Sequence, residues 1–233
     1  MTTNPRRVGV LAPMPSELRP VVKVMGLCRP EGAAFHAGRV GRVDVVAART
    51  GMGFALATDA TNRLLDAEAL DHVLVVGIAG GIGPSRVGDV LVPTTVTDRG
   101  TGRSYAASPL GRASSGSISS SDEFLVDPGR IEALVADGAL AVDMETAAVA
   151  AVCEARGIAW SAVRVVSDLA TDHPDDAVLA LADADGTPRV ADGLKFMVRN
   201  PGRIPLLVRI ARDATRAAKA AAVEAAAQLR AVD

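Results

Sequence analysis

The sequence is poor in the residues that several common protein classes depend on. Its two cysteines, Cys28 and Cys153, lie far apart in 233 residues. Neither a disulfide framework nor a cysteine-built zinc site is expected, and both read as small buried hydrophobes in a reducing compartment. The formal net charge of −2 leaves no whole-protein case for a nucleic-acid partner. No apolar run approaches the ~20 residues of a membrane-spanning helix. At the N-terminus apolar residues begin only at Val8 and are broken by Pro13, so no signal-peptide core is expected and the cytoplasm is the expected location. Aromatics amount to 3%, which makes Phe124, set beside Asp122 and Glu123, worth noting, although an isolated phenylalanine is more often core. Of the three histidines, His173 reads as a solvated loop residue with no catalytic part.

What remains is a chain rich in small apolar residues, 49% hydrophobic and 22% charged, as a globular protein is. Its length suits a single α/β domain over residues 1–233. The organising stretch is Ala141-Val142-Asp143-Met144-Glu145-Thr146, read as a strand end turning into a helix. Ala147, Ala148, Ala150, Ala151 and Ala155 favour that helix, and Gly157 stops it. Ala162 to Val166 reads as a buried strand ending on Ser167 and Asp168. Glu145 and Asp168 thus fall where apolar elements end, which is where open α/β sheets bind ligands.

Other elements follow from the pattern. Val8 to Ala12 reads as a buried strand, followed by a helix capped by Ser16 with Glu17 in its first turn. Phe35 to Ala48 reads as a hairpin turning near Gly41-Arg42. Arg49-Thr50-Gly51-Met52-Gly53 leads into a helix, and such a glycine pair either exposes N–H groups to an anion or sugar hydroxyl or simply makes a tight turn. His72 to Val76 is the clearest central strand and runs into Gly77-Ile78-Ala79-Gly80-Gly81-Ile82-Gly83. That glycine run is superficially similar to a dinucleotide turn, but Pro84-Ser85 opens no apolar helix and Val87 to Val92 returns as a strand. Gly100 to Ser121 reads as a surface loop or flap, Pro128 to Asp137 as a short helix, and Pro205 to Val232 as a long one. Lys195, Arg199 and Arg203 before this last helix, and Arg209 and Arg212 within it, make its start basic. A solvated face packed on the sheet accounts for this; a sharper reading is a surface that meets anionic lipid.

Four ordered blocks carry a family resemblance: Val8 to Glu17, Gly77 to Gly81 with Val87 to Val92, Val142 to Glu145, and Val163 to Asp168. Together they resemble the purine/uridine phosphorylase family, most of all its methylthioadenosine/S-adenosylhomocysteine nucleosidase branch, over about residues 8–170. The resemblance implies a three-layer α/β/α sandwich with a mixed, mostly parallel twisted central sheet, and a homo-oligomer, namely a dimer. It implies a purine nucleoside as the small-molecule partner, and neither a metal nor an organic cofactor. Glu17 would be the base that activates water, Asp168 the acid for the departing purine, and Glu145 the carboxylate that grips the ribose hydroxyls. Met144 would lie beneath the ribose, with Ile78, Ala79 and Gly80 forming a wall against the nucleoside. Phe124 and Leu125 would hold the purine, Ser167 would orient Asp168, and Arg164 would pair with one of the acids.

Cleaving a purine N-glycosidic bond builds positive charge on the sugar and negative charge on the base. Asp168 suits the acid's part if burial raises its pKa, and Glu145 is expected to stay ionised near a helix start. Phosphorylases of the family place an arginine in the first block, where this chain has Pro13-Met14-Pro15-Ser16-Glu17, so hydrolysis is favoured. Arg19 and Arg49 keep phosphorolysis open as the alternative. A further alternative comes from Asn200 to Asp213, which is similar to the tail of hopanoid-associated members acting on a lipid-linked adenosine. A nucleoside sensor without catalysis is disfavoured, because a pure binder does not need Glu17, Glu145 and Asp168 together.

Overall fold

The computed structural model describes residues 5–111, 116–123, 125, 127–169 and 204–232. Phe124, His173, Lys195, Arg199 and Arg203 lie outside the described residues.

The chain runs β1 (Arg7–Ala12), α1 (Pro15–Met25), β2 (His36–Val40), β3 (Val43–Arg49), α2 (Phe54–Ala67) and β4 (His72–Gly81). It continues through β5 (Val90–Leu91), β6 (Thr95–Asp98), β7 (Ser104–Ala106), β8 (Ser117–Ser120), α3 (Pro128–Ala136), β9 (Ala139–Asp143), α4 (Thr146–Ala155) and β10 (Ala159–Leu169). A final helix, α5, spans Ile204–Arg230. The strands form one open sheet in the order β2-β3-β1-β4-β9-β8-β6-β7, with β10 beside β4 and β5 beside β10. Five of the nine pairings are parallel and four antiparallel, so the sheet is mixed and mostly parallel as expected.

Alternation along the strands divides the core into two layers. Val8, Val10, Leu74, Val76, Val163 and Val165 join one apolar cluster with Val21 of α1 and the alanine face of α5, from Ala217 to Leu229. Leu11, Val73, Val75, Ala162 and Val166 join the other with Ala57 and Leu64 of α2 and the alanines of α4. Small side chains let these helices approach the sheet closely, and each buried methylene contributes about 0.8 kcal/mol. The C-terminal half of α5 is therefore core, while Val208 near its start is exposed.

Three local readings change. The first helix begins at Pro15 with Met14, not Ser16, at its N-cap, because proline has a preset φ and no N–H to satisfy in a first turn. The stretch 100–121 is not simply a loop: it holds β7 and β8. Each of these strands buries one apolar residue, Tyr105 or Ile118, among serines, and so little apolar content is easily missed in sequence. The strand expected over Val87 to Val92 shortens to Val90–Leu91, after a turn in which Asp89 caps the Arg86 N–H.

The sheet forks at β4. Strand β1 pairs with it only from His72 to Val75, and β9 joins on the same path only at Gly80 and Gly81. Between them the β4 backbone lacks a strand neighbour on that side among the described residues, and side chains fill the gap.

Candidate active site

Glu17, on the first turn of α1, enters this gap. Its Oε1 accepts the Ile78 N–H at 2.8 Å and its Oε2 the Met14 N–H at 2.8 Å, so the carboxyl replaces the missing strand and caps its own helix at once. Burial pushes its pKa up, opposed by Arg164 and by these two hydrogen bonds.

Arg164 reaches the gap from β10, in register with Gly77. A methyl group at Gly77 would lie 2.2 Å from Glu17 Oε1 and 2.5 Å from Arg164 Nη1, so the arginine crosses β4 only because position 77 has no side chain. Its Nη2 lies 2.6 Å from Asp143 Oδ2 and 3.4 Å from Glu145 Oε2, while Nη1 is 4.0 Å from Glu17 Oε1 and donates to the Ile78 carbonyl at 3.3 Å. Arg164 is fully buried. It is not among the residues that line the cavity; it pairs with the acids from behind, as a positioning residue.

Glu145, the residue before α4, accepts the Gly53 N–H at 3.1 Å. The glycine turn thus presents its N–H to an anion of this same chain. Burial pushes the Glu145 pKa up to about 8, with Arg164 opposing. Desolvation here works against the ionised form expected of a helix-start carboxylate, and one guanidinium stands against three buried carboxyls.

Asp168 follows an irregularity in β10, where Val166 faces Ala79 and Asp168 faces Gly80, leaving Ser167 as an extra residue. Such a bulge re-aims side chains, and both Ser167 and Asp168 line the cavity. The Ser167 hydroxyl donates to Asp168 Oδ1, and Oδ2 lies on the Gly80 side.

Glu17, Glu145 and Asp168 therefore border one cavity of about 220 Å³. Met144, Ile78, Ala79, Gly80, Leu125 and Ser167 line it as well. Sequence reasoning missed several neighbours. Asp143, in the organising stretch but given no role there, accepts from Ser120 and Thr146 while pairing with Arg164. Met52, Arg99 and Ser119 also line the cavity. Arg99 is held by Ser121 at 2.9 Å and Glu123 at 3.3 Å. Ser119 Oγ is buried without a hydrogen-bond partner among the described residues, so a ligand can bond it. Asp143 could have been suspected, since a buried strand that ends on a carboxylate needs a cation.

A hollow at the carboxyl ends of β1, β4 and β10, lined by five acidic residues (Glu17, Glu123, Asp143, Glu145 and Asp168), is the site of an α/β enzyme that acts on a small polar molecule. The chain belongs to the Phosphorylase superfamily, whose sequence profile matches residues 7–111 and 106–194. It is similar to a 5′-methylthioadenosine/S-adenosylhomocysteine nucleosidase of Tolumonas auensis, 30% identical over 72% of this chain and 87% of the relative. An aminodeoxyfutalosine nucleosidase of Helicobacter pylori is 26% identical over 72% of this chain and 87% of its own length. In fold the chain resembles the Neisseria meningitidis 5′-methylthioadenosine/S-adenosylhomocysteine nucleosidase in complex with methylthio-immucillin-A. The TM-score is 0.71 at 21% identity, covering 97% of this chain and 99% of that one.

Proposed function

We propose that the protein, as one domain over residues 1–233, hydrolyses the N-glycosidic bond of a 5′-substituted adenosine and releases adenine. The substrate is of the methylthioadenosine or S-adenosylhomocysteine type. The observation that carries this reading is that Glu17, Glu145 and Asp168, from three distant parts of the chain, border one cavity.

Asp168, oriented by Ser167, delivers a proton to N7 of the purine, so the base departs neutral. General-acid help of this kind contributes about 10²–10⁴ in rate. Glu145 accepts hydrogen bonds from the ribose hydroxyls, which favour its ionised form, and its charge then stabilises the cationic sugar. Glu17 removes a proton from the attacking water on the opposite face. Met144 supports the ribose, and Ile78, Ala79 and Gly80 give the base a flat wall. Leu125 closes on the purine, with Phe124 assigned there by resemblance. Water is favoured over phosphate because Arg19 and Arg49 do not line this cavity and Arg99 is already engaged. By resemblance, the protein works in the cytoplasm as a homodimer. Contact of its basic C-terminal segment with lipid goes only with a lipid-linked substrate.

Adenine release from methylthioadenosine, S-adenosylhomocysteine, deoxyadenosine and adenosine, measured with and without phosphate, tests the reading. We expect the two thioether nucleosides to be cleaved in phosphate-free buffer at the same rate as with phosphate. Absolute dependence on phosphate would overturn hydrolysis.

A further inference from the structure

Beyond the lip of the acid-lined cavity lies a second hollow, of about 660 Å³. Among the described residues its cationic lining is Arg19, Lys23, Arg29, Arg49 and Arg63, with His36 beside them, and no acidic residue lines it. Leu18, Val22 and Phe35 give it an apolar floor. Arg63 shares Asp59 at 3.6 Å. Among the described residues, however, none of Arg19, Lys23 and Arg29 has a carboxylate partner. Burial, and then the charge of Arg29, hold the His36 imidazole below its ordinary pKa.

The position of this hollow follows from the sheet. Asp168 is on β10, Ala79 on β4, Pro13 just past β1 and Met52 just past β3, in that lateral order. Neighbouring strands lie ~4.8 Å apart, so the step from β10 to β3 is ~14 Å. Ala12 is in register with Arg49, and Gly51 N–H donates to the Pro13 carbonyl at 3.0 Å. Strand β2 pairs with β3 only as far as Ala47, which leaves Ala48 and Arg49 facing the hollow. The two hollows are thus consecutive along one edge of the sheet, with Pro13, Met14 and Met52 lining one and Pro15 and Arg49 the next.

With the purine at Asp168 and the ribose at Glu145, whose carboxyl is tied to Gly53, an arm on C5′ leaves over Met14 and Met52. We propose that the cationic groove receives the outer end of this 5′ arm, and that the favoured arm ends in an anion, a carboxylate or phosphate carried on an apolar linker. Guanidinium forks bind such groups in pairs of hydrogen bonds, and the apolar floor accepts the linker. The proposal rests on the nucleosidase reading above.

The test uses adenosines whose 5′-thio arm ends in a carboxylate or in the corresponding primary amide, over several arm lengths, with methylthioadenosine as reference. In phosphate-free buffer of low ionic strength, the best carboxylate should exceed its amide in kcat/KM about tenfold, the worth of one charge-assisted contact. The preference should shrink with added salt. In an Arg19→Gln/Lys23→Gln/Arg29→Gln variant it should disappear, while methylthioadenosine is cleaved as before. Equal rates for carboxylate and amide, or a preference that survives the triple variant, would overturn the proposal. So would stimulation of methylthioadenosine cleavage by inorganic phosphate that the variant loses, since the groove would then serve a free anion. If no nucleoside releases adenine, the enzymatic reading itself fails and takes this inference with it.

Discussion

At Glu145 a carboxyl has left water for a place where its partners are the Gly53 N–H and the Arg164 guanidinium. Burial first pushes its pKa from the ordinary 4.5 up to about 8, with Arg164 opposing. Between these values the folded protein keeps a proton that the unfolded chain has released. The unfolded state therefore binds fewer protons, and stability falls as pH rises. Glu145's contribution is whole below pH 4.5 and is lost as pH passes through 8; the raised pKa of Glu17 acts in the same direction. Glu145→Gln removes one of these titrations. Thermal unfolding between pH 5 and 8 should therefore show a fall in Tm shallower by at least ~2–4 °C, the shift that 1 kcal/mol gives in a chain of this size. An unchanged slope would show that burial has not protonated this group.

The elements create the site through two departures from regularity. On its β1/β9 side, strand β4 has no strand neighbour among the described residues between Val75 and Gly80, and the extra Ser167 in β10 turns Asp168 to the cavity. Gly77 is the hinge of the first, because Arg164 reaches three carboxyls by crossing it. Gly77→Ala places a methyl against Glu17 and Arg164, both locked in place, so relief must move one of them. We expect a loss of ~1–3 kcal/mol in stability, as for other overpacked cores, and a fall in kcat well beyond what that loss explains. Parental kcat together with parental Tm would show that the crossing has room to spare. Much of this scale was legible in the sequence: the strands β1, β3, β4 and β10 are dense in valine and leucine, and the blocks ending at Glu17, Glu145 and Asp168 carry the family's order. The fork and the bulge were not, since each arises where two strands of different length meet a third. Strands β7 and β8 were hidden because their burial rests on Tyr105 and Ile118 within polar sequence. Asp143 and Gly77 were visible as letters but not as partners, because their meaning depends on an arginine that arrives from another strand.

For the whole molecule, the layered sheet sets the order of events. Helices α1 and α5 cover one face and α2 and α4 the other, and the hollows that could take a ligand lie at the carboxyl edge of the strands. Along that edge the acid-lined cavity and the cationic groove follow one another. The central claim is that three acids from distant segments act on one nucleoside. Its most direct test is adenine release from methylthioadenosine by Glu17→Gln, Glu145→Gln and Asp168→Asn, each measured beside equilibrium binding of the same nucleoside. The account predicts that each substitution lowers kcat by about 10²–10⁴, with Asp168→Asn still binding nucleoside. Unchanged turnover in any one of the three would contradict it.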